Sequence, residues 1–104
     1  MLLLNSGVLV SKLRKSAKGR DCLVRIPGIC NFNPETVVLA HIGGAGMGLK
    51  KKDIHGAFTC CDCHNEIDGR THDSCFTKDD LKLMHYEGVE RTQDAWIDEG
   101  LIAT

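Results

Sequence analysis

The stretch Cys60-Cys61-Asp62-Cys63-His64-Asn65-Glu66-Ile67-Asp68 decides how this chain reads. Cys60 and Cys63 form a CxxC pair, and two thiolates at that spacing can bind one tetrahedral zinc from a tight turn. The residues from Cys60 to Arg70 have helical character, with Gly69 near the end. On a helix, His64 and Asp68 lie one turn apart on one face. A His and an Asp so placed can hold one divalent cation between them.

A CxxC pair closes a site only with a second pair. Cys22 and Cys30 offer it, and the turn signal Pro27-Gly28 between them can fold the segment back on itself. A four-thiolate site would pin the N-terminal segment to the start of the helix. Structural zinc of this kind contributes on the order of 10 kcal/mol to folding. The same residues also read as four unmetallated thiols. Cys61 cannot point the same way as both its neighbours and reads as a small buried residue. Cys75 reads as a free core thiol.

Upstream, Thr36-Val37-Val38-Leu39-Ala40-His41-Ile42 is rich in β-branched residues and predicts a strand. Asn33-Pro34 marks the turn before it. Gly43-Gly44-Ala45-Gly46-Met47-Gly48 follows, a loop that leads into Lys50-Lys51-Lys52. The Gly-Lys-Ser/Thr ending of a phosphate-cradling loop is missing. Ile54 to Thr59 predicts a second strand. Downstream, Thr77-Lys78-Asp79-Asp80 has the form of a capping box. Leu81, Met84, Tyr86, Val89 and Trp96 continue at helical spacing, and Gly88 divides this region into two predicted helices.

The order is α+β: a basic arm over 1–19, then a single domain over 20–104. Within that domain a ββα core occupies about 36–70 and C-terminal helices about 77–100. At 104 residues, 42% apolar and 26% charged, the composition is that of one globular domain and excludes wholesale disorder. A domain this small buries only roughly 60–70% of its unfolded surface, so a metal staple would matter. No apolar run approaches the ~20 residues that span a bilayer. Met1 to Leu4 is too short for a signal-peptide core. The expectation is therefore a cytoplasmic protein without a membrane partner, where six cysteines suggest metal or redox chemistry more than a disulfide frame.

Charge is divided along the chain. Residues 1–52 hold nine Lys and Arg against two acids; residues 53–104 hold four against twelve. A basic first half suggests a polyanion such as DNA as partner. Opposite charges in the two halves also serve simply to hold them together.

A strand ending in His, a glycine-bearing loop, a second strand and CxxCH opening a helix resemble the HNH endonucleases and their ββα-metal finger. The run over 20–70 is closer still to small predicted nucleases encoded by lambdoid phages and prophages. The residues that carry this are Val24-Arg25-Ile26-Pro27-Gly28-Ile29-Cys30, Asn33-Pro34-Glu35-Thr36, Leu39-Ala40-His41 and Cys60-x-x-Cys63-His64-x-Glu66-Ile67-Asp68. The tail around Glu90-Arg91-Thr92-Gln93-Asp94-Ala95-Trp96 matches as well.

The resemblance implies phosphodiester hydrolysis with His41 as general base, since imidazole accepts a proton near neutral pH. It implies one catalytic divalent metal, magnesium or another, held by His64 and Asp68, beside structural zinc on the four cysteines. It assigns Arg20, Arg25, Lys50, Lys51 and Lys52 to flanking phosphates, a sequence-independent grip. Ala40 stands where many of those enzymes place a metal-ligating Asp. Asp53 and His55 are both placed to orient His41. His72 is a candidate for the missing ligand; alone it reads as a satisfied surface or core imidazole. His85 reads as structural. Two further functions compete: a non-catalytic zinc-stapled nucleic-acid-binding module, and a small phage protein that binds another protein.

Overall fold

The computed structural model describes residues 12–42 and 52–102. Lys50 and Lys51, assigned above to phosphates, and the glycine loop lie outside the described residues.

Two short strands form the sheet. β1 (Val38–His41) pairs antiparallel with β2 (Gly56–Thr59), so that Leu39 faces Phe58 and His41 faces Gly56. Both strands are shorter than their apolar runs predict. Asn33 caps a 3-10 turn over Pro34–Thr36 by accepting from the Glu35 N–H, which delays β1. A second 3-10 turn, Asp53–His55, takes the start of the run predicted for β2. All four β2 residues are buried, because the strand is covered rather than left at a wet face.

α1 (Cys61–Ile67) leaves β2 directly, with the Cys60 sulfur accepting the Cys63 N–H as its cap. Gly69 ends it in the left-handed region at φ 77°. α2 (Lys78–Asp98) begins at the predicted capping box: the Thr77 hydroxyl accepts from Asp80 N and Asp80 accepts from Thr77 N, each at 3.1 Å.

α2 is one helix of 21 residues, not two. Gly88 is no break. A Cβ there would stand 2.7 Å from Val24 Cγ2 and 3.3 Å from Ala57 Cβ, so the bare glycine lets the helix close on β2 and the cysteine segment. Thr92 completes the seam. Its buried hydroxyl accepts from Phe58 N at 3.0 Å and donates to Gly88 O at 2.7 Å.

The core centres on Trp96, fully buried and edge-on to Phe58 at 5.7 Å between ring centroids. The Trp96 indole N–H donates to Ser16 Oγ at 2.8 Å. Leu13 and Ala17 are buried beside it. The basic lead-in expected as an arm is thus folded over residues 12–19, with one helical turn at 12–15. Its apolar residues recur at i and i+4, and Trp96 offers them a surface to cover.

Candidate functional site

Two centres flank α1. The first is the cysteine cluster. Cys22, Cys30, Cys60 and Cys63 place their four sulfurs within 4.8 Å of one another. Among the described residues they are the one set of three or more such ligands held so tightly. The long first spacing closes as Pro27-Gly28 predicts. Gly28 takes φ 78°, and the N–H groups of Ile29 and Cys30 both donate to Ile26 O. Arg25 also adopts positive φ, and its Nε donates to Cys22 O.

Sulfurs of one tetrahedral metal at about 2.3 Å stand roughly 3.8 Å apart. The Cys30–Cys60 pair is at 3.9 Å. Proton sharing inside the cluster is uneven. A hydrogen bond from the Cys63 thiol, aided by the Arg25, Cys60 and Val24 N–H groups, draws Cys22 down to about 4 against its burial. Giving that bond, together with burial, drives Cys63 upward. Burial pushes Cys30 up to about 11. Four sulfurs gathered this closely, three of them buried and one half-buried, suit a soft divalent metal, which exchanges protons for thiolate bonds. Cys61 and Cys75 are exposed, not core thiols. Cys61 is the first α1 residue and turns to solvent, where Asn31 Nδ2 donates to its sulfur.

The second centre is a cavity of about 760 Å³ between the end of β1, α1 and the first half of α2. His41, Asp68, His72 and His85 all line it. His64 Nε2 lies 3.2 Å from Asp68 Oδ2, as the helical spacing predicts. That is the distance of a direct His–Asp contact, and two groups so close could each turn a ligand atom onto one divalent cation, since ligands at about 2.1 Å and right angles stand roughly 3 Å apart. Arg70 Nη2 also reaches Asp68 Oδ2, at 3.5 Å.

His41 meets Asp53. Its Nε2 is 2.7 Å from Asp53 Oδ1, which also accepts from Arg14 at 3.0 Å. The Asp53 side chain is 1% exposed, and its Oδ2 is buried with no hydrogen-bond partner among the described residues. An ionised carboxylate oxygen only accepts, so a neutral His41 ring donates to it through Nε2 and keeps its lone pair on Nδ1. Of the two residues placed to orient His41, Asp53 makes the contact. His55 is exposed and bonds through its backbone, its carbonyl accepting from Ile42 N and its N–H donating to Lys52 O.

Other assigned residues fare differently. The Arg20 guanidinium forms a two-pronged pair with Glu99 and lies over the Phe58 ring at 5.0 Å. That pairs the cation internally rather than offering it to a phosphate. Arg25 and Lys52 are exposed. His72 is exposed on the cavity rim. His85 is buried, and its Nε2–H donates to Ala40 O at 2.8 Å. Burial holds this imidazole below its ordinary range, opposed by the Ala40 bond.

Glu66 stands in the motif, but nothing in the sequence assigned it a role. Buried in α1, it accepts from Ser74 Oγ and N, Thr71 Oγ1 and Asp73 N. Those bonds, Ser74 and Thr71 foremost, hold its carboxyl down at about 2. They tie down the loop that carries His72. The alternation of Thr71, Asp73 and Ser74 after the helix is the kind of local polar cluster that signals such a clamp.

Fold and site together define a small α+β protein: a two-stranded sheet, a four-cysteine cluster able to bind metal, and a histidine-lined cavity beside it. A family model described as "Putative nuclease YbcO" matches residues 11–101, and the chain belongs to that phage-type nuclease family. The chain is 49% identical over 98 residues to "Putative nuclease YbcO" of Escherichia coli (strain K12), spanning 89% of this chain and 98% of that protein. It matches "Putative nuclease ybcO" of Enterobacteria phage 82 with the same identity and coverage. A solved structure titled "Structure of a putative bacteriophage protein from Escherichia coli str. K-12 substr. MG1655" superposes with a TM-score of 0.74 at 48% identity, covering 86% of this chain and all of that one. Among the described residues no helix is long and apolar enough to cross a membrane.

Proposed function

We propose that the protein is a metal-dependent endonuclease of the HNH-like class that hydrolyses DNA phosphodiester bonds in the cytoplasm. The observation that carries this reading is His41, held from behind by buried Asp53, lining the same cavity as Asp68, whose partner His64 stands just outside that lining. Hydrolysis needs a base for the attacking water and charge relief at the phosphate and the leaving oxygen.

His41 Nδ1 takes the water's proton. Asp53 fixes the ring and its tautomer through Nε2–H and stabilises the imidazolium that results. His64 and Asp68 hold the cation, magnesium or another divalent ion, with His72 a further candidate ligand from the rim. When bound, that ion supplies positive charge at the phosphoryl oxygens. Zinc on Cys22, Cys30, Cys60 and Cys63 holds the segment before β1 against the start of α1. The ββα arrangement spans about 36–70 within a single domain. Arg25 and the Lys50 to Lys52 run remain as flanking phosphate contacts.

One observation favours a second reading, a zinc-stapled nucleic-acid-binding module without chemistry. Ala40 supplies no ligand, and no third His, Cys, Asp or Glu among the described residues joins His64 and Asp68 as closely as the cysteines join one another. Supercoiled plasmid incubated with magnesium or manganese separates the two. Nicking by the parent, reduced at least about 100-fold in His41→Ala and diminished in Asp53→Asn with an altered pH profile, supports catalysis. Binding without nicking supports the module.

A further inference from the structure

We infer that α2 supplies the principal substrate grip: Lys78, Lys82 and Tyr86 hold a single nucleic-acid strand along the cavity that contains His41 and Asp68. The inference rests on the nuclease reading and deepens it. It moves the grip away from the basic first half of the chain and into the acidic second half.

Three observations converge. Lys78, Lys82 and Tyr86 all line the cavity, on the wall made by α2. Their spacing of i, i+4 and i+8 puts them on one helix face, about 6 Å apart per step at 1.5 Å per residue. The strand-facing wall is thus a ladder of two ammonium groups and one aromatic ring, set beside the proposed base and metal pair.

The second observation is that these cations are unspent. Neither Lys78 nor Lys82 forms a salt bridge among the described residues, whereas Arg20 and Arg14 are both paired, with Glu99 and Asp53. Of the two acids of the first turn, Asp80 is occupied in the capping box, and Asp79 is exposed but does not line the cavity. A lysine without an internal partner, on the rim of a cavity, is free to meet a phosphate.

The third is the field along the helix. Beyond Tyr86, the exposed α2 residues Glu87, Glu90, Asp94 and Asp98 form an acidic stripe. That stripe repels a polyanion and confines it to the first two turns and the cavity mouth. Tyr86 is 47% exposed, a large ring half open to solvent. An aromatic face beside two phosphate-binding cations is the pairing that single-strand binders use, with a base stacked on the ring. A base inside a duplex has no free face to offer, so this arrangement selects an unpaired strand.

The test is a salt titration. Binding of a labelled single-stranded oligodeoxynucleotide is measured by anisotropy for parent, Lys78→Ala/Lys82→Ala, Lys78→Arg/Lys82→Arg, Tyr86→Ala and Tyr86→Phe. Calcium replaces the catalytic metal so that the strand stays intact. Removing one phosphate-binding cation lowers the slope of log affinity against log salt by about 0.7, so the double alanine variant drops by about 1.4 and the arginine variant keeps the parent slope. Tyr86→Ala weakens binding roughly 5- to 150-fold at fixed salt with the slope unchanged, and Tyr86→Phe restores it. Thermal midpoints equal to the parent's show that each variant is folded. A parent that binds and cleaves, with variants of unchanged slope and affinity, overturns the grip and leaves the nuclease reading standing. A parent that neither binds nor cleaves nucleic acid removes both.

Discussion

At the residue scale, the site is built from imidazoles whose tautomers the backbone and one carboxylate dictate. His41 is set by Asp53, and His85 by the Ala40 carbonyl, one residue before His41. The two rings thus brace one strand end from opposite partners. His85 carries a pH consequence. Its folded-state affinity for a proton is depressed by burial, so below its ordinary range the unfolded chain binds a proton that the folded chain refuses. Stability is fully present above about pH 6.5 and falls as the pH drops below it. Urea midpoints measured from pH 7.5 down to 5 are expected to decline, and His85→Gln to flatten that decline. An acid slope identical in parent and variant would refute the assignment.

At the scale of elements, the sequence was legible where the signal is local. The Thr77 capping box, the Asn33-Pro34 turn, the CxxC turn and the His64–Asp68 rung all depend on residues within a helical turn of each other. Gly88 was misleading for the same reason. Read locally it is a helix breaker; in the fold it is the point where α2 touches Val24, more than sixty residues away in sequence. Gly88→Ala should raise helix propensity and yet destabilise the protein by about 1–3 kcal/mol, because the added methyl overpacks a rigid, buried Val24. Equilibrium unfolding in urea measures it. A stabilised variant would mean that the seam has slack. Arg20 was equally beyond local reading, since its partner Glu99 lies 79 positions on.

At the scale of the whole molecule, the cysteine cluster brings the turn around Ile26 against the junction of β2 and α1, where a bound metal would fasten the two, and that junction also sets the start of the helix bearing His64. The small size of the domain suggested a metal staple, and the four cysteines that come together were legible from the CxxC pair and the Pro27-Gly28 turn. What the chain did not announce was that the folded lead-in also contributes, through Leu13, Ala17 and Ser16. Metal analysis should find about one tightly bound atom per chain. Cys60→Ser, or prolonged chelation, should abolish the cooperative thermal transition seen by tryptophan fluorescence. A metal-free protein that melts at the same temperature would falsify the staple.

Trp96 is the hub of that core, yet it comes almost at the end of α2, and its contacts run back to Ser16 and Phe58. During synthesis the sheet and the cysteine turn therefore emerge without the ring they pack on. Until position 96 clears the ribosomal tunnel, Phe58 lacks its edge-on partner and Ser16 the indole N–H that it accepts, and the nascent polypeptide waits for its keystone.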